Sequence, residues 1–207
     1  MARVENESTS SNSHKLEEET NQSETDDNMR NPYVIEQEDD PHDIGERFWE
    51  PHQYYMADAL KELEYGRKQS CWSWFLLPTA PYVVDGVERG SSMNRKYCLR
   101  GDEAAQAFLT YGNGRLRANY LLIVRAIQSQ LRRGLTLKGL LGELDYNKAI
   151  SSFQLFERIG KQMKDEEITT ACSRVLDLAG VVPPKKKRGS SMKTLKGWLV
   201  KKKPGSN

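Results

Sequence analysis

The sequence predicts a mainly α-helical domain over residues 46–182, set between an acidic N-terminal arm and a basic C-terminal tail. Apolar residues in the middle of the chain recur at three- and four-residue spacing, the period of one helix face. Glycines, prolines and acidic residues punctuate these runs where helices start and stop. No alternating strand pair, hairpin signal or internal repeat interrupts the pattern. Charge divides the chain the same way. Residues 1–45 hold 3 Lys/Arg against 13 Asp/Glu, residues 46–182 hold 19 against 16, and residues 183–207 hold 9 against none.

The arm, residues 1–45, has almost no large apolar side chain before Tyr33, Val34 and Ile35. Such a segment buries too little apolar surface to offset its ordering entropy, so it is expected to be disordered. It reads as a solvated arm, with nucleic-acid mimicry or shielding of the tail as sharper alternatives.

The helical body is expected to begin near Arg47. Pro51 suits the first turn of a helix running to about Tyr65, with Gly66 as its stop and Met56, Ala59, Leu60 and Leu63 as its buried stripe. The run Trp72–Leu77 is too short to classify by period and ends at Pro78 and Pro81. Residues 82–101 read as loop. Asp102 reads as the N-cap of a short helix ending at Gly112. From Gly114 to Gly134, Leu116, Tyr120, Leu121, Val124, Ile127 and Leu131 line one face of the clearest helix, while Arg115, Arg117, Arg125, Arg132 and Arg133 project elsewhere. A short turn from Leu137 to Leu141 closes at Gly142. Asp145 then reads as the cap of a helix burying Ile150, Phe153, Phe156, Ile159 and Met163. The last helix starts at Asp165-Glu166-Glu167, where acidic residues suit the positive end of the dipole, and stops at Gly180.

Several functional classes are set aside. No apolar run approaches the roughly 20 residues of a membrane span. No signal or transit peptide is expected from the polar, acidic N-terminus. Cys71, Cys98 and Cys172 are widely spaced and form no CxxC, so reduced intracellular thiols are expected, with no metal site and no cofactor. No phosphate-binding glycine loop, HExxH or GxSxG occurs.

The stretch Gly66-Arg67-Lys68-Gln69-Ser70-Cys71-Trp72-Ser73-Trp74-Phe75-Leu76-Leu77-Pro78 resembles the signature of the domain-of-unknown-function family 1810, some bacterial members of which carry the mislabel "calpastatin". The family pattern runs Gly-Arg-Lys, a hydroxyl residue, His-Trp-Met-Trp-Phe, two apolar residues, then Pro-Gln. Gly66, Arg67, Lys68, Ser70, Trp72, Trp74, Phe75 and Pro78 match it, while Cys71 replaces the His, Ser73 the Met and Thr79 the Gln. Three further blocks follow in the family's order: Ser91-x-Met93 to Tyr97, the Ala-rich helix with Arg115-Leu116, and Gly142-x-x-Asp145-x-x-Lys148-x-x-Ser151-Ser152. The resemblance covers about residues 47–160 and implies an all-α fold. It implies no activity, and without the family's His this chain has no imidazole acid–base group at position 71.

Those residues carry plainer readings as well. Trp72, Trp74 and Phe75 are expected in the core. Arg67 and Lys68 follow a helix end, where cations relieve exposed carbonyls. If the two matching blocks meet in space, however, Arg67, Lys68, Ser70, Trp72, Trp74, Asp145, Lys148 and Ser151 would line a cleft suited to a phosphate or nucleotide. Trp-rich blocks with a late Asp are also similar to small helical domains of bacterial NAD and ADP-ribose metabolism, an analogy of motif alone.

The tail supplies a different set of signals. Lys185, Lys186, Lys187 and Arg188, then Lys201, Lys202 and Lys203, satisfy monopartite and bipartite spacings for a nuclear import receptor, and so predict a nuclear protein. The plainer alternative is a solvated basic tail that binds nucleic acid nonspecifically. Between the clusters, Met192, Leu195, Trp198 and Leu199 sit on one side of a helical turn. They resemble the PIP box that docks on the sliding clamp PCNA, with Met192 in place of its Gln and Leu199 in place of its second aromatic. Folding back on the body, or lying on an anionic membrane, would serve an exposed Trp equally. The sequence therefore reads as a nuclear helical adaptor whose tail docks on a partner. Its alternative is a hydrolase or binder of a nucleotide or ADP-ribose derivative, using the Arg67/Lys68/Asp145 region.

Overall fold

The computed structural model describes residues 39–181, and within them the helices form in the predicted order. The arm upstream of residue 39 lies outside the described residues. So do the import clusters Lys185–Arg188 and Lys201–Lys203, and the docking residues Met192, Leu195, Trp198 and Leu199.

Helical chain begins a few residues before the expected start. The Asp40 carboxylate accepts from the backbone N–H groups of Ile44 and Gly45, at 2.8 and 2.7 Å, and so caps a π-helical turn over Gly45–Trp49. That turn runs into α1, Glu50–Glu64, with Pro51 in its first turn and Gly66 at φ 80° just beyond its end. Only a residue without Cβ takes that conformation at little cost, which is why the helix stops there. The Trp72 run is helical: α2 is the single turn Ser73–Leu76.

Residues 82–101 are not plain loop. Val83–Val84 (β1) and Val87–Glu88 (β2) pair antiparallel around Asp85 and Gly86, both at positive φ, and Ser91 caps the short helix α3, Ser92–Tyr97. Asp-Gly is the dipeptide favoured in a two-residue hairpin turn, but the strands are too short to show alternation. A backbone bond from Leu99 N–H to the Thr79 carbonyl, 2.8 Å, closes the base of this excursion.

Helix α4 spans Gly101–Arg132 and is broken at Tyr111–Gly114, where Gly112, Asn113 and Gly114 all take positive φ. Asp102 is not its N-cap. Arg100 holds that position, and the Asp102 carboxylate instead accepts from Arg158 and Gln162 on α6. Thr136 caps α5, Leu137–Leu141. Helix α6, Glu143–Met163, takes Gly142 as its N-cap rather than Asp145, which sits inside the first turn. Lys164 in the left-handed region and the Asp165 cap then reverse the chain into α7, Glu166–Leu178.

The core forms where α4, α6 and α7 pack together, with α1 against α4. Phe108 is its aromatic hub, 5.2 Å from Phe48 edge-to-face and 5.3 Å from Phe156, while Tyr120 lies 4.5 Å from Phe156. Such pairs add to what area burial alone contributes. The predicted stripe is buried on α4 (Leu116, Tyr120, Leu121, Val124, Ile127, Leu131); on α7, Ile168, Cys172, Val175 and Leu176 are buried while Ala179 is half-buried. On α1, Ala59 and Leu63 are buried, while Met56 and Leu60 are half-buried. His52, in the first turn of α1, is buried under α2. Its Nε2 lies 3.0 Å from the Phe75 carbonyl and its Nδ1 3.3 Å from the Asn119 amide.

Candidate functional site

The segment Gly66–Trp72 is turned back across α5 and α6 by Glu62, near the end of α1. The Glu62 carboxylate accepts from the backbone N–H groups of Gln69 (2.8 Å) and Ser70 (3.1 Å) and from Trp72 Nε1 (2.7 Å). Burial pushes this carboxyl up, but the donors outweigh it and hold it below the ordinary carboxylate range. Lys68 N–H donates to the Leu140 carbonyl at 2.8 Å, which pins the same segment to α5.

The two sequence blocks meet at Asp145. Lys68 Nζ lies 2.6 Å from Asp145 Oδ2 and also donates to the Ser70 carbonyl at 2.6 Å. Ser73 Oγ donates to Asp145 Oδ1 at 2.6 Å. Both carboxylate oxygens are therefore engaged, in the first turn of α6, where negative charge is favoured.

One turn along the same helix face stands Lys148. Its Nζ is buried, sits 2.8 Å from the centre of the Trp74 ring, and has no hydrogen-bond partner among the described residues. Burial is the main influence on this amine and lowers it. Asp145 acts the other way, Lys68 adds to the lowering and Cys71 opposes it, for a net fall from 10.5 to about 7. Ser151 lies a turn further, with its hydroxyl donating back to the Asn147 carbonyl at 3.0 Å.

Together Lys68, Ser73, Trp74, Asp145, Lys148 and Ser151 line one wall of a cleft of about 670 Å³, within the range of small-molecule sites. Other sequence candidates stand outside it. Trp72 is fully buried in the core, Arg67 is exposed, and Ser70 is half-buried with its backbone bonded to Glu62 and Lys68. Tyr82 and Asn94, on the hairpin and α3, line the same cleft with Thr79 and Pro81. No local pattern marks Tyr82 or Asn94, because the Thr79–Leu99 closure that brings them round is a long-range backbone pairing. Cys71, next to the matching Trp block, lines the cleft with an exposed thiol. Among the described residues, no group of three or more His, Cys, Asp or Glu is placed to hold a metal ion, and no helix is long and apolar enough to cross a membrane.

The family model for proteins of unknown function called DUF1810 matches residues 41–177, the described helical body nearly end to end. The chain belongs to that family. Both blocks that build the cleft lie inside the matched span. A search of curated proteins finds no match. Among solved structures, the chain is similar to the conserved hypothetical protein Rv1873 from Mycobacterium tuberculosis, with a TM-score of 0.54 and 22% identity. The match covers 69% of this chain and 100% of that one. At that identity the likeness shows that the DUF1810 body shares its fold with the mycobacterial protein.

Proposed function

We propose that the cleft lined by Lys68, Trp74, Asp145, Lys148, Tyr82 and Asn94 is the ligand site of this DUF1810 domain, and that it takes a small phosphate-bearing molecule of the nucleotide or ADP-ribose class. One observation carries the reading: a buried lysine amine, Lys148 Nζ, on the wall of a cleft with no acceptor of its own among the described residues. Lysine has three donors and is seldom withdrawn from water without partners. An anionic ligand group would supply the missing acceptor, Lys68 a second cation, and Trp74 a flat face for a ring.

Binding is favoured over hydrolysis in this reading. Asp145, the candidate for assisting water, already accepts from Lys68 and Ser73, so it positions the wall rather than serving as a free base. The test is a thermal-shift titration of the full chain with AMP, ADP-ribose and inorganic phosphate, wild type beside Lys148→Met and Arg67→Ala. A saturable shift lost in Lys148→Met and kept in Arg67→Ala is expected. No shift across the three compounds overturns the reading.

A second reading concerns the tail and rests on the sequence of residues 183–207 alone. Lys185–Arg188 with Lys201–Lys203 support nuclear import, and Met192, Leu195, Trp198 and Leu199 support docking on PCNA, which would make the protein a nuclear adaptor. Titration of full-length chain against PCNA, with Trp198→Ala beside it, tests this. Unaltered affinity in the variant removes the clamp version. Binding to any DNA with steep salt dependence would leave a nonspecific basic tail.

A further inference from the structure

We propose that Lys148 is an imine-forming nucleophile, whose amine condenses with an aldehyde or ketone group of a phosphate-bearing ligand held in the cleft, an inference that rests on the ligand-site reading above. The geometry separates Lys148 from Lys68, the other lysine drawn into this wall. Lys68 Nζ spends its donors on Asp145 and the Ser70 carbonyl, as a positioned cation does. Lys148 Nζ, on the same wall, lies against the Trp74 ring and meets no acceptor among the described residues.

A lysine that only binds anions needs its charge, whereas a nucleophilic lysine needs its lone pair. Burial favours the lone pair. The charged and titratable groups acting on Lys148 are Asp145 on its own helix and Lys68 and Cys71 on the facing segment, and burial outweighs them all to bring the amine to about 7. Near neutral pH roughly half of the molecules then carry a free amine, against on the order of one in a few thousand for an ordinary surface lysine. The Trp74 face shelters the amine at rest, and rotation about the flexible four-carbon stem carries it into the cleft that the side chain already lines.

The chemistry balances without a further reactant. The Nζ lone pair adds to the carbonyl carbon, and the C=O π pair moves onto oxygen, which takes up one amine proton through water. The C–O bond of this carbinolamine then breaks. Oxygen leaves as water with the second amine proton, and a C=N bond remains. Amine plus carbonyl gives imine plus water, with no change of oxidation state.

Pyridoxal 5′-phosphate serves as the probe, an aldehyde carrying a ring and a phosphate. The full-length protein is mixed with it at pH 7, reduced with sodium borohydride to fix any imine, and mapped by peptide mass spectrometry. Lys148 is expected to be labelled at least about tenfold faster than any other lysine. Its rate should level off above about pH 8, while the others go on rising toward pH 10. AMP or inorganic phosphate should suppress the labelling, and Lys148→Arg should abolish it. If that variant does not fold, the wild-type map and pH profile decide alone. Labelling spread evenly over the lysines, with the AMP shift intact, overturns the imine and leaves the ligand site standing. Even labelling with no AMP shift overturns both. Selective labelling that phosphate does not suppress upholds the nucleophile and overturns the phosphate assignment.

Discussion

Lys68 and Asp145 lie 2.6 Å apart with 8% and 17% of their side chains exposed, and their pair fastens the segment after α1 to the first turn of α6. Ser73 reinforces it from α2 through the other carboxylate oxygen, so three elements converge on one acid. A buried pair of this kind adds little net stability over an apolar substitute, because desolvation opposes the Coulomb gain. Its effect is on geometry: it sets the wall on which Trp74 and Lys148 stand.

Removing one partner is costly where removing both is not. Asp145→Ala leaves the Lys68 ammonium without its counter-charge and the Ser73 hydroxyl without its acceptor, and is expected to lower stability by about 2–4 kcal/mol. Lys68→Met with Asp145→Leu should recover more than half of that loss. Urea unfolding at pH 7 reads both. A single variant that costs under 1 kcal/mol would mean the pair is solvated rather than buried.

His52 makes stability depend on mild acid. Phe75 offers a carbonyl, which can only accept, so Nε2 carries the proton and Nδ1 accepts from Asn119. Burial brings the imidazole down from 6.5 to about 4, against the Phe75 bond, which raises it. Protonation therefore favours the unfolded chain. The contribution is complete above about pH 6.5 and is lost as the pH falls toward 4. Linkage puts the loss from this group between pH 7.5 and pH 5 at about 2 kcal/mol. In His52→Gln, which keeps a donor for Phe75, the unfolding free energy should vary less over that window. An equal slope in wild type and variant would place the sensitivity in another group.

The sequence and the structure part company where a local rule competes with a distant partner. Gly66, Gly142 and Gly180 end or begin helices as expected, because a positive φ is a property of the residue itself. Helix α7 starts at Asp165 as expected, and the structure adds that its carboxylate caps the helix, accepting from Ile168 N–H at 3.1 Å. Asp102 and Asp145 look the same in sequence and do not cap. Their carboxylates go to Arg158 with Gln162, and to Lys68 with Ser73, all from other elements. The cleft shows the same division. Lys68, Trp74, Asp145 and Lys148 are legible as the polar and aromatic members of two blocks. That Trp72 turns inward follows from Glu62 gathering Gln69, Ser70 and Trp72, and no spacing marks Glu62 for that role.

Asp165 joins capping to a long-range ion pair, and two substitutions separate these roles. Arg117 Nε and Nη2 donate to its two oxygens at 2.6 and 2.8 Å. These bonds, against the opposing pull of burial, hold the carboxyl below 3.8. Asp165→Asn keeps a capping oxygen for Ile168 and should cost about 1 kcal/mol, while Asp165→Ala loses cap and pair and should cost about 2–3 kcal/mol. The pair's contribution is present above about pH 3.8 and falls away as the pH drops through the lowered folded value. Below pH 4 the gap between wild type and Asp165→Asn should therefore close, as acid titrations of the unfolding midpoint would show. Equal costs for the two variants would mean that capping is the whole effect.

Gly160 tests how closely α6 and α7 approach. In a helix interior, Gly→Ala ordinarily stabilises by about 1 kcal/mol, because glycine gives up more backbone freedom on folding. At position 160 a Cβ would stand 2.6 Å from Thr169 Oγ1 and 3.1 Å from both Ile168 Cγ2 and the Thr169 backbone nitrogen. The hydroxyl is held in place by its bond to the Asp165 carbonyl at 2.7 Å, and the backbone nitrogen by its own bond to that carbonyl at 3.1 Å. Relief therefore requires the helices to separate, and overpacking of this kind costs about 1–3 kcal/mol. Gly160→Ala is thus expected to destabilise, reversing the usual sign. Adding Thr169→Ala removes the hydroxyl clash but not the backbone one, so the double variant should regain part of the loss and no more. A rise in the urea midpoint for Gly160→Ala alone would show that α6 and α7 have room to spare at this crossing.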